Sequence, residues 1–283
     1  METYNPDKYS GNRTEYQYEE TNTTKYDDAY YYGGSHSAGD PGEFMNMNAG
    51  FETDGGIHMS GMKNLGRIVE QEVVAKSFLF MVVALIITAG AAFSTTPIVA
   101  IRLLTGSGFT FILLAELAIV LVSDWAISKN NAILAGILFV IYSYLTGVTF
   151  SILLLAYTGT SMVATFLVTA VMFGVMAVIG LIAKKDLTSA GSLLLMGLIG
   201  VIMASSVNLF LLKSDTADMV ISIICVLLFV GLTAYDAQKI KALTAVSNEG
   251  NVLTLALMGA FQLYLDFINI FLRLLRLFGK RKN

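Results

Sequence analysis

Cysteine is nearly missing from this 283-residue chain, whose single thiol, Cys225, sits in an apolar run. One cysteine allows no internal disulfide and no cysteine-based metal site, so no cofactor is expected. Histidine is as scarce, and both copies, His36 and His58, precede the apolar part of the chain. No Ser/His or Ser/Lys constellation lies within the apolar runs, which argues against an intramembrane hydrolase, and the chain reads as a non-enzyme. Charged residues make up only 14% of the chain, against about 25% in a soluble globular protein. No basic patch supports nucleic-acid binding. GSG at Gly106–Gly108 is too short for a phosphate loop. Neither a repeat of fixed period nor a pair of inverted halves stands out.

Apolar residues are what the chain has in excess, at 55% against about 45–50% ordinarily. Crossing a hydrocarbon core of about 30 Å takes about 20 mainly apolar residues in a helix. Seven such runs follow one another: Val73–Phe93, Gly108–Ser128, Ala132–Tyr157, Ser161–Ala183, Ser189–Leu212, Met219–Gln238 and Val252–Phe278. Turn and charge signals separate them: TTP before Ile98, SKNN, TGTS, KKD, KSDTAD and SNEGN. Backbone groups in lipid must be satisfied within the segment, and no strand alternation suggests a barrel. The expected fold is therefore an all-α polytopic membrane protein, a seven-helix transmembrane bundle over residues 67–283 with consecutive helices as antiparallel neighbours. Residues 1–66 are Tyr-rich, Gly-rich and acidic (EYQYEE, KYDDAYYYGG) with no apolar signal-peptide core, and read as a disordered, solvated tail. Small residues recur within the spans (Gly136, Gly147, Gly174, Gly180, Gly191, Gly197, Gly200), as close helix packing in lipid requires.

Lys and Arg near the helix ends set the orientation. With the N-terminus inside, the inner segments hold Lys63, Arg67, Lys76, Lys129, Lys184, Lys185, Lys239 and Lys241, and the outer loops only Arg102 and Lys213. The N-terminus is expected in the cytoplasm. The last segment departs from this rule, because seven crossings place Arg273, Arg276, Lys280, Arg281 and Lys282 on or near the outer face. Either the final helix is incomplete or re-entrant, or the earlier charges overrule it.

An acid at mid-membrane costs at least about 2.5–3.5 kcal/mol, so it should be protonated, paired or facing a wet cavity. Three acids qualify: Glu116 in LLAELAIVLV, Asp236 in GLTAYDAQKI and Asp266 in LYLDFINIF. Asp124, beside Trp125 near a helix end, reads as interfacial. Each candidate has a plainer reading. Asp236 has Lys239 three residues on and could form an ion pair at a helix end, and Asp266 could bond Tyr264 or Asn269. The alternative is a carboxyl pair from successive helices, which in low dielectric would share one proton and titrate as a unit. Depth opposes it: Asp266 is fourteen residues beyond Val252, about 21 Å along a straight helix. The two meet only if the sixth helix carries Asp236 into the membrane, or if Val252–Gln262 bends.

LAELAIVL around Glu116, KKDLT at Lys184–Thr188, YDAQKIK at Tyr235–Lys241 and LYLDFINIFLRLLRLFG at Leu263–Gly279 resemble the Bax inhibitor family, the transmembrane Bax inhibitor motif proteins, in its bacterial branch. The resemblance runs from about Val73 to Gly279. It implies a seven-helix bundle with a central last helix in a bacterial plasma membrane. It also implies a pH-sensitive calcium leak whose proton switch is an aspartate pair on the sixth and seventh helices. By position that pair is Asp236 and Asp266, with transient Ca²⁺ coordination there, and Glu116 matches an acid on the second helix of the ion path. Ca²⁺ is then the permeant ion and no cofactor is required. Where bacterial members carry an arginine latch after the tryptophan, this chain reads WAISKNN and offers only Lys129. The rival reading is an interaction protein without conductance, since some bacterial relatives are associated with a membrane-bound AAA protease. A transporter for another cation is a third.

Overall fold

The structure is a computed structural model describing residues 44–105, 107–244 and 252–282. Of the expected tail, residues 1–43 lie outside the described residues, and the backbone from Phe44 belongs to the first helix. Among the described residues the elements are α1 (Phe44–Ser94), α2 (Pro97–Thr105), α3 (Gly108–Ser128), α4 (Ala132–Ala156), α5 (Gly159–Ile182), α6 (Thr188–Val207) with a π-helical turn over Asn208–Leu212, α7 (Asp215–Thr244) and α8 (Val252–Phe278). Seven helical stretches are long and apolar enough to cross a membrane, the first being the Gly66–Ser94 part of α1. The protein is an all-α polytopic membrane protein.

Local chemistry explains the boundaries. Asn131 caps α4 by accepting from the Leu134 N–H at 3.0 Å, and Thr158 caps α5 through Ser161 N–H at 3.4 Å. Asn208 and Ser214 hydrogen-bond reciprocally at 3.1 Å across the turn into α7. The connection expected before Gly108 contains a short helix, with Pro97 the first residue of α2, a position where its missing N–H costs nothing. The sixth span, expected to end at Gln238, continues in α7 to Thr244.

Successive spans alternate in direction. Arg276 at the end of α8 pairs with Asp218 at the start of α7 at 2.7 Å, and Lys241 near the other end of α7 pairs with Glu70 at 3.5 Å. The final helix is one uninterrupted α-helix of 27 residues, long and apolar enough to cross a membrane. Its basic end lies at the face opposite Lys241 and Glu70.

The helices do not simply pack in chain order. The most extensive packing of α5 is on α7 and then on α8, which draws the bundle around the last helix. In α8 the apolar window is 67% buried, against 11% in α3 and in α6. Leu263, Tyr264 and Ile270 are wholly inaccessible. Phe139 and Tyr142 of α4 stack edgewise or tilted on Phe261 and Tyr264, and Phe166 and Phe173 of α5 on Phe267. Large side chains pointing outward, such as Leu117, Leu121, Val171 and Phe210, are exposed. Lipid tails are as apolar as these side chains, so nothing drives them inward.

Small residues act at particular crossings. A Cβ on Gly180 would run into the Ala234 backbone, and one on Gly191 into the Tyr235 ring. Gly147 fits against the Thr88 carbonyl in the same way. The expectation fails at Gly174 and Gly200, where an added Cβ would meet nothing within 4 Å among the described residues. A buried polar contact complements these crossings. The Tyr264 and Thr88 hydroxyl oxygens are 2.7 Å apart, and Thr88 Oγ1 is 2.9 Å from the Ala84 carbonyl and 3.0 Å from that of Ser143. A threonine has one hydroxyl hydrogen, which these two carbonyls take, so Tyr264 is the donor to Thr88.

Gly180→Leu should therefore cost about 1–3 kcal/mol through overpacking, seen as a lower melting temperature in detergent. Gly174→Ala should leave that temperature unchanged or raise it, because glycine costs about 0.5–1 kcal/mol relative to alanine inside a helix. Tyr264→Phe should lower stability by only about 0.6–1.7 kcal/mol, the range for a single hydrogen bond between membrane helices. A loss beyond that range would show that the hydroxyl organises more than the contact with Thr88.

Candidate functional site

The site is a seam between α7 and α8. Residues at helical spacings of three, four and seven share one face. On α8 this rule aligns Gln262, Asp266, Asn269, Arg273 and Arg276, and on α7 it aligns Asp218, Ser222, Cys225, Thr233 and Asp236. Because the helices are antiparallel, the two stripes face each other in opposite order. Arg276 meets Asp218, Arg273 lies within Coulombic range of Cys225, and Thr233 and Asp236 neighbour Asp266.

Asp266 is 4% exposed, and its Oδ2 has no hydrogen-bond partner. Asp236 is half-buried and lies within Coulombic range of it. Among the described residues no hydrogen bond joins the two carboxyls directly. The depth objection is met in the first of the two ways open to it: with α7 running to Thr244, Asp236 lies eight residues inside the helix, about 12 Å from its end. The plainer readings of these acids are met only in part. Lys239 Nζ stands 6.0 Å from the Tyr235 ring centroid and lies within Coulombic range of Asp236 without an ion-pair contact to it. Asn269 Nδ2 donates to the Leu265 carbonyl at 2.8 Å, and Tyr264 bonds Thr88. Neither bonds Asp266.

The turns around Asp236 are fixed from both sides. Gly180 and Gly191 bring α5 and α6 onto Ala234 and Tyr235. Two residues after Asp236, the Gln238 amide donates to the carbonyls of Ala183 at 3.3 Å and Lys185 at 2.9 Å and accepts from the Leu187 N–H at 2.7 Å. Lys241 Nζ donates to the Leu181 carbonyl at 3.2 Å. Beside this turn lies a cleft of ≈ 510 Å³ lined by Lys184, Asp186, Thr188, Tyr235, Gln238 and Lys239. In that loop the Thr188 hydroxyl and N–H, at 2.6 and 2.9 Å, hold the Asp186 carboxyl below its ordinary pKa.

Glu116 belongs elsewhere. It is half-buried on α3 and accepts from Thr149 Oγ1 of α4 at 3.2 Å, within Coulombic range of Tyr142 and Tyr264. The buried Thr146 hydroxyl lies among them, close enough to influence Glu116, Tyr142 and Tyr264. Glu116 and Tyr264 thus form a second polar cluster with Thr88, away from the aspartates, because Tyr264 and Asp266 point in nearly opposite directions from α8. Lys129, offered in place of the arginine latch, is exposed at the C-terminal end of α3, and its side chain bonds neither aspartate.

Sequence reasoning missed Gln262. It lies one turn from Asp266 on the same face, and its Oε1 is buried without a partner. The i, i+4 spacing was the available signal. No group of three or more His, Cys, Asp or Glu side chains that could hold a metal occurs among the described residues.

The family described as Inhibitor of apoptosis-promoting Bax1 (Bax1-I) matches residues 70–283. The inner membrane protein YbhL of Escherichia coli (strain K12) is 41% identical over 218 residues, covering 75% of this chain and 93% of that protein. An uncharacterized protein of Rickettsia prowazekii (strain Madrid E) is 43% identical over 212 residues, covering 74% and 89%. One from Deinococcus radiodurans is 39% identical over 227 residues, covering 80% and 96%. A match that runs through the α7–α8 seam to the basic end of α8, with relatives this similar over most of their length, places the chain in the Bax1-I family of membrane proteins.

Proposed function

We propose that this protein is a proton-gated calcium leak, with Asp236 and Asp266 as the gate and its N-terminus in the cytoplasm. One observation carries the reading. A carboxyl group is buried among packed helices with one oxygen unpartnered, and a second carboxyl lies within electrostatic reach on the neighbouring helix. Burying such a group costs several kcal/mol, and a fold that needed only packing would put an apolar residue there.

With one proton between them, Asp236 can close onto the free Asp266 oxygen, and the hydrogen bond holds α7 to α8. Without that proton two like charges face each other in low dielectric, and the helices part along the seam. Ca²⁺ takes six to eight oxygens, so two carboxylates helped by Gln262, Thr233 and water give loose, transient coordination, as conduction requires. Glu116, half-buried in its own polar cluster, would line the path on the other side of α8.

Calcium flux into proteoliposomes, measured from about pH 6 to about pH 8, should rise severalfold as the pair gives up its shared proton. Asp236→Asn and Asp266→Asn should each flatten this rise while leaving the melting temperature within a few degrees of that of the natural chain. A pH profile unchanged in both variants removes the aspartates from gating. Removing residues 1–66 should leave the flux intact. Its loss would favour the reading of an adaptor acting through the tail on a partner such as a membrane protease.

A further inference from the structure

The end of the bundle where α8 finishes is not needed by the gate, yet it carries most of the chain's late basic residues. Gly279–Lys282 does not trail away. It crosses the turn between α4 and α5 as an extended strap, Tyr157 bridging antiparallel to Arg281. The Thr158 N–H donates to the Lys280 carbonyl and the Lys282 N–H to that of Ala156, both at 2.9 Å. The Lys280 N–H donates to Ser161 Oγ at 2.8 Å, and Lys282 Nζ to the Leu154 carbonyl at 2.6 Å. These bonds fix the backbone of three cationic residues over the α4–α5 turn.

Next to that turn is an apolar groove of ≈ 510 Å³ between α1 and α5, floored by α8 and lined by Leu85, Ala89, Leu154, Met162, Phe166 and Phe271 among others. Leu154 is common to both features, since it lines the groove and its carbonyl receives Lys282. Along α5 the groove runs from Gly159 to Phe166, about 10 Å of helix rise. A partner helix crossing the bilayer would need about 30 Å of matching surface, whereas part of one hydrocarbon chain fits this length. An apolar slot within membrane-spanning helices, bordered by positive charge, complements a molecule with a hydrocarbon chain and an anionic head.

We propose that the groove holds an acyl chain of an anionic phospholipid whose phosphate sits against Lys280, Arg281 and Lys282. The site also answers the departure from the charge rule at the end of α8, since these basic residues have a headgroup to neutralise.

Native mass spectrometry of the full chain, released from detergent after incubation with phosphatidylglycerol or phosphatidylcholine, tests this. Phosphatidylglycerol should be retained severalfold more than phosphatidylcholine. The preference should fall with each basic side chain removed, by at most about fivefold apiece, and vanish in Lys280→Gln/Arg281→Gln/Lys282→Gln, whose backbone bonds to the α4–α5 turn survive. Ala89→Phe, which fills the groove, should reduce retention of both lipids. Equal retention of the two lipids by the natural chain overturns the proposal, as does a preference that survives the triple substitution. Displacement of the lipid by inorganic phosphate at equal concentration would show a free-anion site and overturn the lipid assignment. Should the triple variant melt early, Lys280→Gln alone, which keeps the Lys282 contact, gives the single-step loss.

Discussion

Everything in the bundle is arranged around one costly act, the placement of Asp266 inside the helix that the other helices enclose. A carboxyl group in hydrocarbon cannot take its hydrogen bonds from water, so its neighbours are its only partners. Those neighbours come from α7: Thr233 and Asp236 lie against it while Oδ2 stays unpartnered. On the proposed mechanism this incomplete satisfaction is what gives the seam a second arrangement, which a uniformly apolar core would lack.

Holding Asp236 near Asp266 falls to residues with no charge. Gly180 and Gly191 let α5 and α6 approach α7 to backbone or ring contact within two residues and one residue of Asp236 respectively. Gln238 then binds three backbone groups of the α5–α6 connection. In lipid the apolar effect does not hold helices together, so such close contacts and a few hydrogen bonds must. This explains why α5, whose chain neighbours are α4 and α6, packs chiefly on α7.

Much of this is legible from residues alone. The seven spans follow from apolar run length, and so does the placing of Asp236 and Asp266 on two successive helices. Where the reading falls short, the reasons are physical. The apolar run of the sixth span stops at Gln238 because Lys239 and Lys241 follow it, yet Gln238 is used inside the bundle to cap a neighbouring turn. The short helix after Pro97 has too few residues to register as a span. Gly174 and Gly200 show that a small residue need not mark a contact, since sequence gives the residue but not what faces it. Glu116 was grouped with the aspartates because all three are buried acids. Helical phase separates them, and phase across different helices is set by packing.

That separation bears on how a switch in the seam would act. Tyr264 and Asp266 are two residues apart on one rigid helix, the first tied to α1 through Thr88 and the second set against α7. On the proposed mechanism, ionising both aspartates pushes on α8 from the α7 side. Like charges about 4 Å apart at an effective dielectric constant near 20 would repel by about 4 kcal/mol, whereas an interhelical hydrogen bond in a membrane averages about 0.6 kcal/mol. If the carboxyls approach that closely, the hydroxyl contact to Thr88 would be the weaker restraint, and the displacement would reach the Glu116 cluster through α8. A central last helix with polar groups on both faces can in this way couple two clusters that never touch, the helix itself being the lever between them.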